Sequence, residues 1–320
     1  MKRLLTAMAW AVALTGAAVA QGWPSATVKI VVPFAAGSTP DSVARIVGEK
    51  LQQTTGKPFI IENRPGAGGN IGTDVVAKAA PDGLTIGVSI LGPMAMNTVL
   101  MKSMPYDPFK DIVAISMLTL QPSVLAASNQ LGATDLQQLF ALLRKDPGKY
   151  NYASIGRGSL SHLAMAHIAA RSGTEVVHAP FTNSPQAALA VVQNEVQMTV
   201  LPAISVMPLA RDGKMKVLAQ TSARRSPVLP DLPTFAEAGV DGVEASAWNA
   251  MVAPARTPPD MLAQMSARLG EALRDADVKR RLAEQMMEAA PMSPSETRAY
   301  VDGEFKRWSA VVRAAGIQPQ

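Results

Sequence analysis

From Thr27 onward, short runs rich in β-branched residues alternate with segments whose apolar residues recur at helical spacing. That alternation restricts the chain to mostly parallel sheets wrapped by helices, the α/β class. Residues 27–32 read as a strand whose continuous apolar end predicts burial on both faces. Pro33 ends it, and Val43, Ile46, Val47 and Leu51 then mark a helix that Gly56 and Pro58 stop. The same pattern gives strands at 59–62 and 84–90, helices at 70–79 and 93–101, and a turn at Pro81, Asp82 and Gly83. A second series follows, with strands at 124–127, 152–154, 175–178, 196–200 and 215–220 and a helix at 135–145 capped by Thr134. Beyond Trp248 the pattern turns helical, at 258–274, 278–287 and 293–315. Two series and a helical tail predict two lobes, one of residues 21–121 and 222–320, the other of 122–221. The chain would cross near Gln121 and return near Thr221, making a hinge.

With 48% hydrophobic and 17% charged residues among 320, and no cysteine, the chain is neither disordered nor a disulfide scaffold. Residues 1–20 read as a secretory signal peptide: Lys2 and Arg3, an apolar run, then Ala18, Val19 and Ala20 before Gln21. The run is shorter than the roughly 20 residues of a membrane span. Cleavage after Ala20 is expected, and in a bacterium the product would be periplasmic. Without Lys2 and Arg3 the balance is 28 basic against 25 acidic residues, scattered along the chain, which does not describe a nucleic-acid surface.

Three strand-to-helix junctions place small residues and hydroxyls where the free amides of a helix start would face a ligand. The first is Phe34, Ala35, Ala36, Gly37, Ser38 and Thr39, followed by Asp41, which can cap backbone donors while pointing away from the ligand. The second, Ser154, Ile155, Gly156, Arg157, Gly158, Ser159, Leu160 and Ser161 before His162, repeats the design on the other lobe. A weaker third is Phe181, Thr182, Asn183 and Ser184, with Pro185 opening a helix. Ligands of open α/β sheets lie outside the carboxyl ends of the strands, so two such loops facing each other describe a cleft, and a small carboxylate is its simplest guest. Gly66, Gly68, Gly69 and Gly72 depart from the dinucleotide spacing and read as a tight loop approaching the neighbouring lobe or the cleft; no cofactor is expected. His162, His167 and His178 lack metal-ligand spacing, and no metal is expected. Ser159 with His162 leaves an exported hydrolase as a rival, although the sequence there is GRGSLS rather than GxSxG. The residues offer binding chemistry without a nucleophile, and the chain is not expected to be an enzyme.

The strings PFAAGSTPDSVAR from Pro33, ENRPGAGGNIG from Glu62, PDGLTIGV from Pro81, YASIGRGSLSHLA from Tyr152, PDLPTFAEAG from Pro230 and AWNAMVAPARTPP from Ala247 resemble the tripartite tricarboxylate transporter receptors, or Bug receptors. The resemblance implies a two-lobed type II periplasmic binding protein, a Venus flytrap, that holds a carboxylated solute between its lobes and delivers it to a permease of one large and one small subunit. It implies that Phe34 through Thr39 hold one carboxylate, that the loop from Ser154 to Ser161 contributes Ser159 and helix amides, and that Leu91 and Gly92 form a third wall. The chain departs from the family's usual residues at Ser38, at Phe181, Thr182 and Asn183, and at 201–203, where amino-acid binders carry an aspartate and this chain has Leu201, Pro202 and Ala203. An unpartnered buried ammonium is costly, so the ligand is expected to lack an α-amino group. A receptor presenting its ligand to a sensor kinase is the alternative in the same compartment, and a monomer suits the delivery role.

Overall fold

A computed structural model describes residues 22–319; the expected export signal at 1–20 lies outside the described residues. The strands are β1 (Val28–Val32), β2 (Phe59–Asn63), β3 (Thr85–Ser89), β4 (Ile112–Gln121), β5 (Ser123–Ser128), β6 (Asn151–Ser154), β7 (Val177–Pro180), β8 (Met198–Pro202), β9 (Met215–Gln220), β10 (Ala247–Pro254) and β11 (Glu288–Ala289). The helices are α1 (Thr39–Thr55), α2 (Asn70–Ala77), α3 (Asn97–Leu100), α4 (Leu136–Lys145), α5 (Leu160–Ser172), α6 (Ser184–Val192), α7 (Ala203–Arg211), α8 (Pro259–Arg274), α9 (Ala276–Glu284) and α10 (Pro294–Ala314).

They form two α/β layers built on separate sheets. The first sheet has the order β11-β4-β10-β3-β1-β2 and the second β7-β6-β8-β5-β9. Both sheets are mixed. A parallel core, β2-β1-β3 or β7-β6-β8, is extended by antiparallel strands, β10, β4 and β11 in one sheet, β5 and β9 in the other. The long strands β4 and β10 are absent from the sequence reading. Their residues are buried almost throughout, so no polar alternation marks them.

Each sheet is covered on both faces. In the first, Val43, Val47 and Leu51 of α1 and Met265 and Leu269 of α8 pack against Ile30, Ile86 and Met251, while Val76 and Val301 cover Val31, Ala250 and Val252. In the second, Leu139, Phe140, Leu163 and Ile168 cover one face and Ala187, Val191 and Val206 the other. Phe235, Val243 and Ala245, from the segment between β9 and β10 that the sequence reading groups with the first lobe, pack into the second lobe's core beside Leu125. The α10 helix, opened by a Ser293–Glu296 capping box, runs from Val301 in the first core to Trp308 and Val312 in the second. Asp135, rather than Thr134, caps α4: its Oδ1 accepts the Gln138 N–H at 2.8 Å.

Strand directions bring the two carboxyl edges together. Ser89 ends β3 opposite Ala250, and Gln121 ends β4 opposite Ala247. Two residues later Ser123 pairs with Pro202, the end of β8. The crossover therefore joins the carboxyl edge of one parallel core to that of the other. Thr221 ties the crossings, donating from N to Ser123 O at 2.8 Å and from Oγ1 towards Ser123 O and Ala245 O.

Candidate functional site

Every junction singled out in the sequence opens from one of these two carboxyl edges. After β1, Gly37 takes a positive φ of 80° and Ser38 becomes the N-cap of α1. The α1 amides at Thr39 and Asp41 have no intrahelical partner, and Ser38 makes no side-chain bond to them. The Ser38 hydroxyl is buried and has no partner among the described residues. Asp41, 3% exposed, behaves as the sequence suggested, capping a donor from inside: its carboxylate accepts Gly37 N–H at 2.9 Å, two Arg45 bonds at 3.0 Å and Asn63 Nδ2–H at 2.9 Å. Burial pushes that carboxyl up, but the bonds from Arg45, Gly37 and Asn63 outweigh it and hold it below the usual aspartate range. The Gly37 amide is thus committed to Asp41, whereas Ala35, Ala36 and Gly37 themselves are exposed.

The neighbouring glycines pack against this loop. A Cβ on Gly69 would come within 3.0 Å of the Phe34 ring and 3.1 Å of Pro93, and one on Gly68 within 2.9 Å of Met101. The glycine loop is therefore a close approach between the β1, β2 and β3 loops. Asn97 Nδ2 donates to Asn70 Oδ1 at 2.6 Å, and Tyr106 OH donates to Pro93 O at 2.7 Å. These bonds hold a π-helical turn, Gly92–Met96, that begins beside half-buried Leu91. Such turns recur at functional sites.

On the second sheet, Gly156 (φ 120°) and Gly158 (φ 77°) turn the chain from β6 into α5. Ser159 is the N-cap, but its hydroxyl donates to Gly156 O at 2.6 Å and accepts His162 N–H at 3.4 Å. The Ser159 side chain thus builds the loop. Ser161 Oγ likewise accepts Ile155 N–H at 3.0 Å, and buried Ser154 Oγ lies 2.6 Å from His178 Nε2. Arg157 is exposed and joins no ion pair among the described residues. The Ser159–His162 pairing considered for a hydrolase is not made, because His162 Nδ1 instead accepts Gly158 N–H at 2.9 Å. Asn183 caps α6 through Oδ1 on Gln186 N–H at 2.9 Å, and Thr182 OH donates to the Gln186 side chain. Ala203 is fully buried and its N–H donates to Pro122 O at 3.0 Å, so it supports the crossover from beneath.

The two sets of loops meet. A Cβ on Gly158 would lie 3.1 Å from Leu100, which sets the second-lobe loop directly against α3 of the first. A concavity of about 400 Å³ lies elsewhere, where Val99 meets Val312, Arg313 and Ile317, away from both helix beginnings. Asn63, Asn70, Asn97 and Tyr106 support the site without having been singled out, and His178, weighed in the sequence only as a metal ligand, does so too; of the four, only Asn63 and Asn70 lie in a quoted string, ENRPGAGGNIG.

Residues 43–317 match the family described as tripartite tricarboxylate transporter family receptor. Among solved structures, Rpa4515 of R. palustris with adipate is 32% identical, covering 93% of this chain and 100% of that one with a TM-score of 0.81. The periplasmic binding protein BugD is 30% identical over 93% of this chain and 100% of its own, with a TM-score of 0.76. MatC of Rhodopseudomonas palustris with bound malate is 33% identical over 90% and 99%, with a TM-score of 0.75.

Proposed function

Because the chain belongs to the tripartite tricarboxylate transporter receptor family, a family of solute-binding proteins rather than enzymes, we propose that it captures a small carboxylate between its lobes in the periplasm and delivers it to a permease of one large and one small subunit. The observation that carries this reading is the pair of helix beginnings, α1 and α5, at carboxyl edges joined by one short crossover. Unpaired amides and the positive end of the helix dipole favour an anion at each. Thr39, Asp41 and the start of α5 supply the amides; Phe34, Leu91 and Gly92 wall the space; Arg157 is an uncommitted cation on the rim. The relatives' adipate and malate fit a dicarboxylate that spans the lobes, and both lack an amino group. Closure then follows from contacts to both lobes, since a ligand with equal affinity for open and closed forms shifts neither.

Isothermal titration of the mature chain with adipate, malate and glutamate tests the reading. Adipate or malate is expected to bind, glutamate to bind at least tenfold more weakly, and affinity to fall as the ligand's carboxyls protonate. Tighter binding of glutamate, or no binding of any carboxylate, contradicts it. Mass spectrometry of the periplasmic fraction, with Gln21 as the expected first residue, tests the export step.

A further inference from the structure

Behind the second ligand loop lies a cluster that the binding reading does not use. The imidazoles of His162, on α5, and His178, on β7, are stacked with centroids 4.0 Å apart and planes 11° from parallel. Tyr152 of β6 stacks on His178 at 5.1 Å and lies 6.4 Å from His162. Each imidazole bonds a different part of the loop. His162 Nδ1 accepts the N–H of Gly158, whose φ of 77° directs the chain into α5. His178 Nε2 bonds Ser154 Oγ, which in turn accepts Gly156 N–H.

We propose that His162 is a positioning residue for ligand capture: as the neutral tautomer protonated on Nε2, it holds Gly158, and with it the start of α5, in the geometry that receives the carboxylate, while His178 stacks behind it and anchors Ser154. This rests on the reading that the 154–161 loop faces the ligand. The tautomer follows from the hydrogen bond, because a ring nitrogen that accepts an amide N–H carries no proton. The pair is 6% exposed at His162, and the titratable or charged groups facing it are Tyr152 from β6 and Arg157 from the loop itself. No carboxylate acts on either ring among the described residues. Burial, with His178 and Arg157 adding to it, pushes the His162 ring down to about 4, and burial with Arg157 lowers His178. Protonation of His162 would exchange the Gly158 acceptor for a donor and set a second positive charge near that of Arg157. The loop would then lose its anchor in acid.

Two substitutions separate positioning from packing. Asparagine places an oxygen close to where Nδ1 lies and cannot take a proton; leucine fills the space without an acceptor. With adipate as the probe in isothermal titration at pH 7, His162→Asn is expected to bind within about twofold of wild type and His162→Leu about tenfold more weakly, as for one lost hydrogen bond. As pH falls to about 4 and below, the asparagine variant is expected to gain affinity relative to wild type, because only the wild-type ring can take up a proton there; ligand protonation cancels in that ratio. Should the leucine variant not fold, the comparison of wild type with asparagine decides. Nitrogen-detected NMR of the ligand-free protein gives an independent reading: Nδ1 of His162 is expected to be unprotonated at pH 7, and the Gly158 amide to shift with the ring's titration in wild type only. Equal affinity of leucine and wild type, an unchanged ratio at pH 4, or a proton on Nδ1 overturns the proposal. Absence of adipate binding by wild type at pH 7 would overturn the carboxylate reading instead, with the NMR result still deciding for or against the role of His162.

Discussion

Asp41 shows how one side chain can shape the loop proposed to receive an anion while its own charge is turned inward. Four hydrogen bonds, from Gly37, Asn63 and twice from Arg45, converge on a carboxylate almost wholly removed from water. Asp41→Asn turns one of those acceptor oxygens into a donor facing other donors. A loss of about 1 to 3 kcal/mol is expected in urea unfolding at pH 7. The sign with pH follows from the lowered folded value: the contribution is complete above the ordinary 3.8 and is lost as pH falls through the folded value, so the two proteins' stabilities should converge in acid. The need for an internal cap after the loop was legible in the sequence, but the identity of the donor was not. Gly37 N–H, expected to face the ligand, turns inward because the loop folds back on the first helical turn. Ser159 and Asn183 likewise bond within their own loops. Both are N-caps, and a short polar side chain at that position bonds its own helix start before it can reach a ligand.

At the scale of elements, the glycine string after β2 is a packing device. A Cβ on Gly72 would meet the Pro33 backbone at 2.6 Å and Arg64 O at 2.8 Å, so α2 lies on the loop that follows β1 only because this residue has no side chain. Gly72→Ala is expected to destabilise by about 1 to 3 kcal/mol, measured by urea unfolding, and to weaken adipate binding with it. Unchanged unfolding would contradict the close approach. On α10, Glu304 is 3% exposed and bonds Trp308 Nε1–H at 3.1 Å and Arg307 at 3.0 Å. Burial pushes its carboxyl above 4.5 against the pull of Arg307 and Trp308. Stability from the protonated form is therefore full below 4.5 and declines as pH rises through the folded value. Glu304→Gln keeps an acceptor for Trp308 and cannot ionise. Its stability relative to wild type is expected to improve between pH 4 and pH 7, and urea unfolding at both values checks this. The parallel units β1 to β3 and β6 to β8 were readable because helical spacing punctuates them. The strands β4 and β10 were not, since IVAISMLTLQ and AWNAMVAP carry no alternation and pair over more than a hundred residues of chain.

Across the whole molecule, function depends on where the sheets' carboxyl edges point. The sequence predicted two lobes and two crossings; β4 and β10, which it did not reveal, together with β5, which it did, turn both edges towards one another, and Thr221 binds the crossings into a single joint. The α10 helix and the segment carrying Phe235 and Val243 add apolar contact across the joint, so motion there would be a limited rotation rather than free separation. The pairing of side chains across 24 residues, as between Ser154 and His178, has no signature in one sequence, which is why the support behind the second loop emerged only from the structure. The most direct test is a crystal structure of the mature chain grown with adipate. One carboxylate is expected within hydrogen-bond distance of the amides at Thr39 and Asp41 and the other at the start of α5. Adipate held by one lobe alone, or bound away from both helix beginnings, would contradict the account.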